Sequence, residues 1–125
     1  MSLDAIGIIS ADPAKSVAFY ALLGIDLRRG GDHEHYEGTT PSGVRVMLDS
    51  VALMKKLVPG FEKPTGSGVV LCFKQPSPAA VDALYARITS AGFAGRKAPW
   101  DAFWGQRYAC VVDPDENQID LFAPL

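Results

Sequence analysis

Short blocks of apolar and polar residues follow one another along the chain and predict the element order β-α-β-β-β, which then occurs a second time. The first apolar block, Ala5–Ser10, has the length and composition of a buried strand. Asp12 is an N-cap acceptor followed by a proline, and the apolar spacing after it predicts a helix from Pro13 to Leu23 that ends at Gly24. Three strand-like segments come next: Ile25–Leu27, His33–Thr39 and Val44–Leu48.

The second half of the chain has the same order. An apolar strand is predicted at Val69–Phe73, and Ser77 followed by Pro78 opens a helix whose amphipathic spacing ends at Gly92. The last three strands are predicted at 94–97, 107–112 and 119–122. The sequence therefore predicts two copies of one module.

Landmark residues recur in the two halves at nearly constant offsets, which supports an internal repeat. The pairs are Asp12 and Ser77 (65 residues apart), Gly24 and Gly92 (68), and Pro41 and Pro114 (73). We predict one domain over residues 1–125, with a first module at 4–49, a connector at 50–67 and a second module at 68–125. The connector begins with apolar residues spaced for one or two helical turns.

Composition narrows the class of protein. With 125 residues the chain is long enough to bury a core, and its formal charge of -2 argues against a nucleic-acid or anionic-membrane partner. No apolar run reaches the roughly 18 residues of a membrane span. The N-terminal residues lack the pattern of a signal peptide, so a cytoplasmic location is expected. Cys72 and Cys110 lie in apolar segments and are predicted to be buried, reduced thiols.

Three stretches resemble the vicinal oxygen chelate superfamily, which includes lactoylglutathione lyases, extradiol dioxygenases and bleomycin-resistance proteins. Ser16–Tyr20 with Gly24 is similar to its "S..FY...LG" helix, Ser90–Gly92 to its second helix end, and Asp113–Leu121 to its "DPDGN.IEL" hairpin. The resemblance implies an α+β fold of two tandem βαβββ modules, forming a cup-shaped mixed sheet with helices on the convex face. It also implies a homodimer. The family's hairpin usually has glycine where this chain has Glu116, so either Glu116 or Asn117 is expected to adopt a positive φ.

Members of this superfamily that are enzymes usually hold a divalent ion, and the resemblance places its ligand positions at Ala5, Met47, Val70 and Asp120. Only Asp120 has a ligand atom, whereas a catalytic divalent ion normally takes at least three protein ligands. We therefore predict no metal and no other cofactor. His33 and His35, with Glu37 on the same strand face, form a rival candidate metal set; the alternative is a solvated edge strand.

Loop aromatics and two charged residues are the other candidates for chemistry. Pro99–Gly105 holds three aromatic residues in a predicted loop, which is either a core plug or a lip that stacks on a flat ligand. Asp120 is a candidate general base, an acceptor for a ligand amine, or a partner of a neighbouring strand. Arg107, like Arg45, either binds a ligand carboxylate or forms a structural ion pair.

The preferred interpretation is a metal-free protein that binds or sequesters an aromatic or amphipathic small molecule, as bleomycin-resistance proteins do. Its predicted ligand-binding residues are Ala5, Met47, Val70, Cys72, Trp100, Trp104, Arg107 and Asp120. The alternative is a glyoxalase-like lyase, isomerase or dioxygenase, with an atypical metal set of His33, His35, Glu37 and Asp120 or with Asp120 as general base. A third interpretation is an interaction module whose cleft is filled by its own side chains.

Overall fold

The computed structural model describes the whole chain, Met1–Leu125, which divides into two compact units at Met1–Pro64 and Thr65–Leu125. The boundary lies inside the predicted connector. The elements of the first unit are β1 (Ala5–Ser10), α1 (Pro13–Leu22), β2 (Arg28–Arg29), β3 (His35–Thr39), β4 (Arg45–Ser50) and α2 (Val51–Leu57). Those of the second are β5 (Leu71–Lys74), α3 (Pro78–Ser90), β6 (Gly95–Ala102), β7 (Gln106–Val112) and β8 (Gln118–Pro124).

The first unit is a four-stranded mixed sheet in the order β1-β4-β3-β2, with β1 and β4 parallel and the other pairs antiparallel. α1 begins where the sequence predicts, because Asp12 accepts a hydrogen bond from the backbone N–H of Lys15 at 3.2 Å. Phe19 and Tyr20 of this helix are fully buried. The α2 segment is the predicted helical piece of the connector.

The second unit has the same arrangement, with a sheet in the order β5-β8-β7-β6 whose first pair is parallel. Ser77 caps α3 by accepting from the backbone N–H of Ala80 at 3.2 Å. α3 packs on β6, β7 and β8, and its Val81 and Ile88 are fully buried together with Ile119 of β8. The predicted α+β fold with two βαβββ modules is confirmed.

Each sheet has one face under its helix and one face that the helix leaves uncovered, here called the helix-free face. In β4, Val46 and Leu48 are buried while Arg45, Met47 and Asp49 are half-buried, as strand alternation predicts. Because a hydrophobic core fixes only the helix side, the residue types on the helix-free face are open to functional variation.

The hairpins before β4 and before β8 are two versions of one turn. The backbone N–H of Thr40 donates to the carbonyl of Val44 at 2.9 Å, and that of Asp113 donates to the carbonyl of Asn117 at the same distance. In the second turn Glu116 has φ 66°, so Glu116 rather than Asn117 adopts the left-handed conformation.

Two predictions about elements need correction. Ile25–Leu27 is not a strand; Ile25 and Leu27 are apolar because they are buried in the core, at 1% and 4% exposure. Trp100 is in β6 rather than in a loop, because the edge strand accommodates Pro99 where the register shifts between Lys97 and Trp100.

Cys72 is exposed rather than buried, whereas Cys110 is buried; both are free thiols. Cys72 lies on the helix-free face of β5, where alternation leaves a side chain without helix cover. None of the helices has the length and apolar character needed to cross a membrane.

Candidate functional site

The helix-free face of the second unit brings together a carboxylate, two thiols and a group of aromatic rings. Strand pairing sets Asp120 of β8 between Cys72 of β5 and Cys110 of β7. One pair further along, Tyr108 of β7 lies opposite Phe122 of β8. Paired residues point to the same side of a sheet, so these side chains share one face.

Asp120 is held by two neutral donors, although its side chain is largely buried at 7% exposure. The Tyr108 hydroxyl donates to Oδ2 at 2.6 Å, and Gln118 Nε2 donates to Oδ1 at 3.0 Å. The Gln118 amide oxygen in turn accepts from the Arg96 guanidinium at 2.9 Å. Neither lysine nor arginine reaches Asp120 at ion-pair distance, so its negative charge is stabilised by dipoles alone.

Three aromatic rings contact Tyr108, and a fourth, Phe103, contacts Trp104. Its ring centroid lies 5.5 Å from that of Trp100 and 5.3 Å from that of Trp104, both in edge contacts, and 6.2 Å from the stacked ring of Phe122. Trp104, at the turn between β6 and β7, is 49% exposed, and Phe103 beside it is almost fully exposed. We call Trp100, Trp104, Tyr108 and Phe122 the aromatic cluster.

A cation already lies on one ring of the aromatic cluster. The Lys97 ammonium is 4.0 Å from the centroid of Trp100, which is a cation–π distance. The indole N–H of Trp104 donates to Gln106 at 2.9 Å, which fixes that ring at the end of the hairpin.

The same environment keeps two acidic groups protonated. Burial and then the hydrogen bond to Asp120 raise the pKa of the Tyr108 hydroxyl above its ordinary value. Burial, followed by interaction with Asp120, raises the pKa of the Cys110 thiol to about 11. Tyr108 is therefore a hydrogen-bond donor at neutral pH, and Cys110 is not a thiolate nucleophile.

The helix-free face of the first unit carries an ionic chain instead. His35 Nδ1 lies 2.5 Å from Asp49, and its Nε2 lies 3.0 Å from Glu37. Arg45 bonds to Glu37 at 2.6 Å and to Asp4 at 2.9 Å. We call these five residues the ionic chain.

Two opposite pKa shifts follow from the ionic chain. The hydrogen bonds to Asp49 and then Glu37 raise the pKa of His35, because they favour the imidazolium. The hydrogen bonds from His35 and then Arg45 lower the pKa of Glu37. The carboxylates flank opposite edges of the imidazole, so His35 bridges strands β3 and β4, and both neighbours favour its protonated form.

The structure separates the predicted site residues into the two units. Ala5 and Met47 lie on the helix-free face of the first sheet, where Met47 pairs with Gly7. Cys72 and Asp120 lie on that of the second, and Val70 precedes β5 as an exposed residue. Trp100 and Trp104 belong to the aromatic cluster. Within one unit, the structure thus brings Cys72, Trp100, Trp104 and Asp120 to one face.

Arg107 lies elsewhere, which corrects the expectation that it orients a ligand beside Asp120. Its guanidinium forms two bonds to Asp82 of α3, at 2.9 and 3.2 Å, and one to Asp101 at 3.2 Å. Arg107 precedes Tyr108 by one residue, so alternation turns it to the helix side. Its role is the structural ion pair that the sequence left open.

The rival histidine set is also divided. His33 is exposed and lies outside β3, while His35 begins that strand and is engaged by Asp49 and Glu37. The chain has no group of three or more His, Cys, Asp or Glu side chains arranged to hold a metal ion. Asp120 belongs to the other unit.

Sequence reasoning did not select Tyr108, although it contacts more of the site than any other residue. The hairpin between β7 and β8 carried a usable signal. In an antiparallel hairpin one known pair fixes all the others, and pairing Val112 with Gln118 places Tyr108 opposite Phe122 and Cys110 opposite Asp120. The turn length, and hence this register, becomes certain only once the turn at Asp113 is seen.

The chain belongs to the Glyoxalase/Bleomycin resistance protein/Dioxygenase superfamily, whose profile matches residues 2–121. A search of curated proteins finds no match. The family defines the fold and a range of chemistries, and no single activity follows from membership.

Solved structures with this fold include three that cover the whole chain. A glyoxalase/bleomycin resistance protein/dioxygenase from Nocardioides is 26% identical, with TM-score 0.77 over 84% of its length. A family enzyme from Burkholderia phytofirmans is 21% identical, with TM-score 0.84 over 100% of its length. A protein from Agrobacterium tumefaciens, solved by NMR, is 25% identical, with TM-score 0.78 over 98% of its length.

The residues present do not fit the divalent ion of the family's enzymes. In the first unit the corresponding positions, Ala5 and Met47, offer no oxygen or nitrogen ligand atom. In the second, Val70 offers none, which leaves the carboxylate of Asp120 as the one possible ligand. A single carboxylate is too few ligands for such an ion.

Proposed function

We propose that the protein binds an aromatic or amphipathic small molecule on the helix-free face of its second unit, without a metal ion. The observation that carries the proposal is the aromatic cluster around Tyr108, placed beside the buried carboxylate of Asp120. Rings give large contact area at low entropic cost, and one precise polar group orients the ligand.

The exposure of the rings supports binding rather than core packing. Trp104 and Phe103 stand at 49% and 97% exposure, well above the values of core aromatics such as Phe19 and Tyr20 at 0%. Exposed apolar rings next to a polar anchor are typical of ligand sites. The pairing of Trp104 with Gln106 keeps the ring in place before a ligand arrives.

The proposed role of the polar residues is orientation. Asp120 accepts hydrogen bonds from Tyr108 and Gln118 and also interacts with the Cys110 thiol. Because a carboxylate has about four acceptor positions, at least one remains for a ligand donor. Tyr108 and Gln118 hold the carboxylate in one rotamer, which lowers the entropic cost of binding. Cys72, exposed and paired with Asp120, adds a polarisable wall.

A titration of intrinsic tryptophan fluorescence tests this function, because both tryptophans of the chain belong to the aromatic cluster. We expect 1-naphthol, quinoline or N-phenyl-1-naphthylamine to change the tryptophan emission in a saturable manner. Tyr108→Ala should weaken this binding by about tenfold or more, the effect of losing an aromatic contact and an anchor together. Tyr36→Ala, in the first unit, is the matched control and should leave the affinity unchanged.

Two results would contradict the proposal. Emission that does not respond to any member of a broad aromatic panel would favour the interaction-module interpretation. A stoichiometric divalent ion in protein purified without chelator, lost in a His33→Ala/His35→Ala double variant, would favour a metal-dependent lyase or dioxygenase.

A further inference from the structure

We propose that the ligand of the second unit is an organic cation: a flat or amphipathic compound with a protonated amine or amidine that binds Asp120 while its ring contacts the aromatic cluster. This inference rests on the proposed function and adds the charge of the ligand. Three independent features of the helix-free face support it.

The first feature is the charge of Asp120. A carboxylate that is 93% buried would normally be paired with a basic side chain, since neutral donors offset only part of its desolvation cost. Here its partners are the Tyr108 hydroxyl and the Gln118 amide, both neutral. A ligand cation would supply the missing charge and a charge-assisted hydrogen bond.

The second feature is the set of ring faces beside that carboxylate. Aromatic faces attract cations through their quadrupole, most strongly tryptophan. Trp100 and Trp104 meet Tyr108 at their edges, with interplanar angles of 66° and 79°, so the rings are not stacked face to face. The Lys97 ammonium covers one face of Trp100, and Trp104 is 49% exposed, so part of its indole ring is open to a ligand.

The third feature is a cation already in place. The Lys97 ammonium lies 4.0 Å from the Trp100 centroid, and Lys97 is paired with Cys110, the neighbour of Asp120. It shows that this ring accepts a positive charge at this position. Lys97 is exposed, so its flexible side chain can move aside when a ligand cation takes its place.

The basic side chains near Asp120 do not reverse the preference of this site for a cationic ligand. Arg96 is already bonded to Gln118, and Lys74 and Lys97 are exposed, so solvent and salt screen their charges. Asp120 is shielded from solvent, and its field acts on a bound group with less screening. A ligand group at hydrogen-bond distance therefore responds mainly to the carboxylate.

Three probes of nearly the same shape test the inference: benzamidine (cationic), benzamide (neutral) and benzoate (anionic). The readout is the pair of indole N–H signals in a ¹⁵N–¹H correlation spectrum, because the chain has two tryptophans. At neutral pH and low salt, benzamidine should bind about tenfold more tightly than benzamide, the effect of a charge-assisted hydrogen bond. Benzoate should bind most weakly.

Charge variants locate the preference. Asp120→Asn keeps the shape of the side chain, and it should bring benzamidine and benzamide to similar affinities. Asp101→Asn removes an equal charge from the helix side of β6 and should preserve the tenfold preference. Lys97→Gln removes the competing cation and should tighten benzamidine binding by about twofold.

The outcomes separate this inference from the proposed function. Equal affinities of benzamidine and benzamide in the wild-type protein, or a preference for benzoate, would overturn the cation assignment while aromatic binding stands. A preference for benzamidine that persists in Asp120→Asn would overturn the role of that carboxylate. Indole signals that respond to none of the probes, and to none of the panel of neutral aromatics, would overturn both.

Discussion

In the first unit His35 and Asp49 form a hydrogen-bonded ionic pair, whereas 73 residues later Tyr108 and Phe122 form a stacked aromatic pair. The same offset relates Pro41 to Pro114, so these are equivalent positions of the repeat. Both pairs join the third and fourth strands of a module on its helix-free face.

The comparison extends to the neighbouring pair. Glu37 and Met47 in the first unit correspond to Cys110 and Asp120 in the second, again 73 residues apart. The carboxylate of this pair is thus on the third strand in the first unit (Glu37) and on the fourth strand in the second unit (Asp120). The cores under the helices, by contrast, consist mainly of apolar side chains in both units, which indicates that the core preserves the fold while the helix-free face is free to diverge.

The largest expected effect comes from a substitution in the aromatic pair of the second unit. Tyr108→Ala removes a ring with three aromatic neighbours and leaves Asp120 with one donor, so the free energy of unfolding should fall by about 3 kcal/mol. Urea unfolding measures it. The equivalent variant His35→Ala should cost less than about 1 kcal/mol, because its ion pairs are partly exposed. Equal losses would contradict the difference between the two faces.

A second comparison concerns the residues that close the two hairpins. Asp113 is buried and accepts three hydrogen bonds, from the backbone N–H of Asp115 and of Asn117 and from the Asn117 side chain. Asp113→Ala should cost about 2 kcal/mol, since buried donors lose their acceptor. Thr40→Val, its equivalent, removes one acceptor of the Val44 N–H and should cost about half as much. Thermal or urea unfolding that ranks the two in reverse would contradict this account of the turns.

A third comparison uses the left-handed residue of each turn. Gly43 in the first turn and Glu116 in the second are 73 residues apart and both have positive φ, at 91° and 66°. Glu116→Gly should raise the free energy of unfolding by about 1 kcal/mol, because glycine adopts this conformation without the cost of a Cβ. The reciprocal Gly43→Glu should lower it. A destabilising Glu116→Gly would mean that Glu116 makes a compensating contact.

The smallest expected effect is a pH dependence of the first unit. His35 has a raised pKa, so its contribution is full below pH 6.5, the ordinary value, and is lost as pH rises through the folded-state pKa. Glu37 has a lowered pKa, so its contribution is full above pH 4.5 and is lost as pH falls through its folded-state pKa. The stability of the wild-type protein should therefore exceed that of His35→Gln most between pH 4.5 and 6.5, by less than any of the differences above, because these groups are partly exposed.

The matched control for that pH profile is His33→Gln. His33 is exposed and lies outside the strand, so its substitution should leave the pH dependence of unfolding unchanged. If His33→Gln loses the same pH dependence, or if His35→Gln keeps it, the ionic chain is not the cause of the pH dependence of stability.

Local sequence signals were sufficient for most of the fold. Asp12 and Ser77 cap their helices as predicted, because an N-cap oxygen acts within one turn of its own residue. Errors arose where tertiary context decides. Pro99 is a breaker by local rules, yet an edge strand at a register shift accommodates it. Cys72 is apolar by local rules, yet its strand leaves it uncovered.

The candidate site was predictable only in part. Alternation along β8 placed Asp120 on the correct face, and the tryptophans were selected by type. Tyr108 and Arg107 required the register of the hairpin, since adjacent residues of one strand face opposite sides. Charge compensation is a property of neighbours in space, so the neutral partners of Asp120 were visible only in the structure.

The measurement that tests the central claim most directly is a map of backbone amide shifts in ¹⁵N-labelled protein titrated with 1-naphthol. The account predicts saturable shifts of both indole signals and of residues in β6, β7 and β8 around Tyr108, while the ionic chain around His35 stays unchanged. Shifts concentrated on β3 and β4, or an absence of saturable shifts in the second unit, would contradict it.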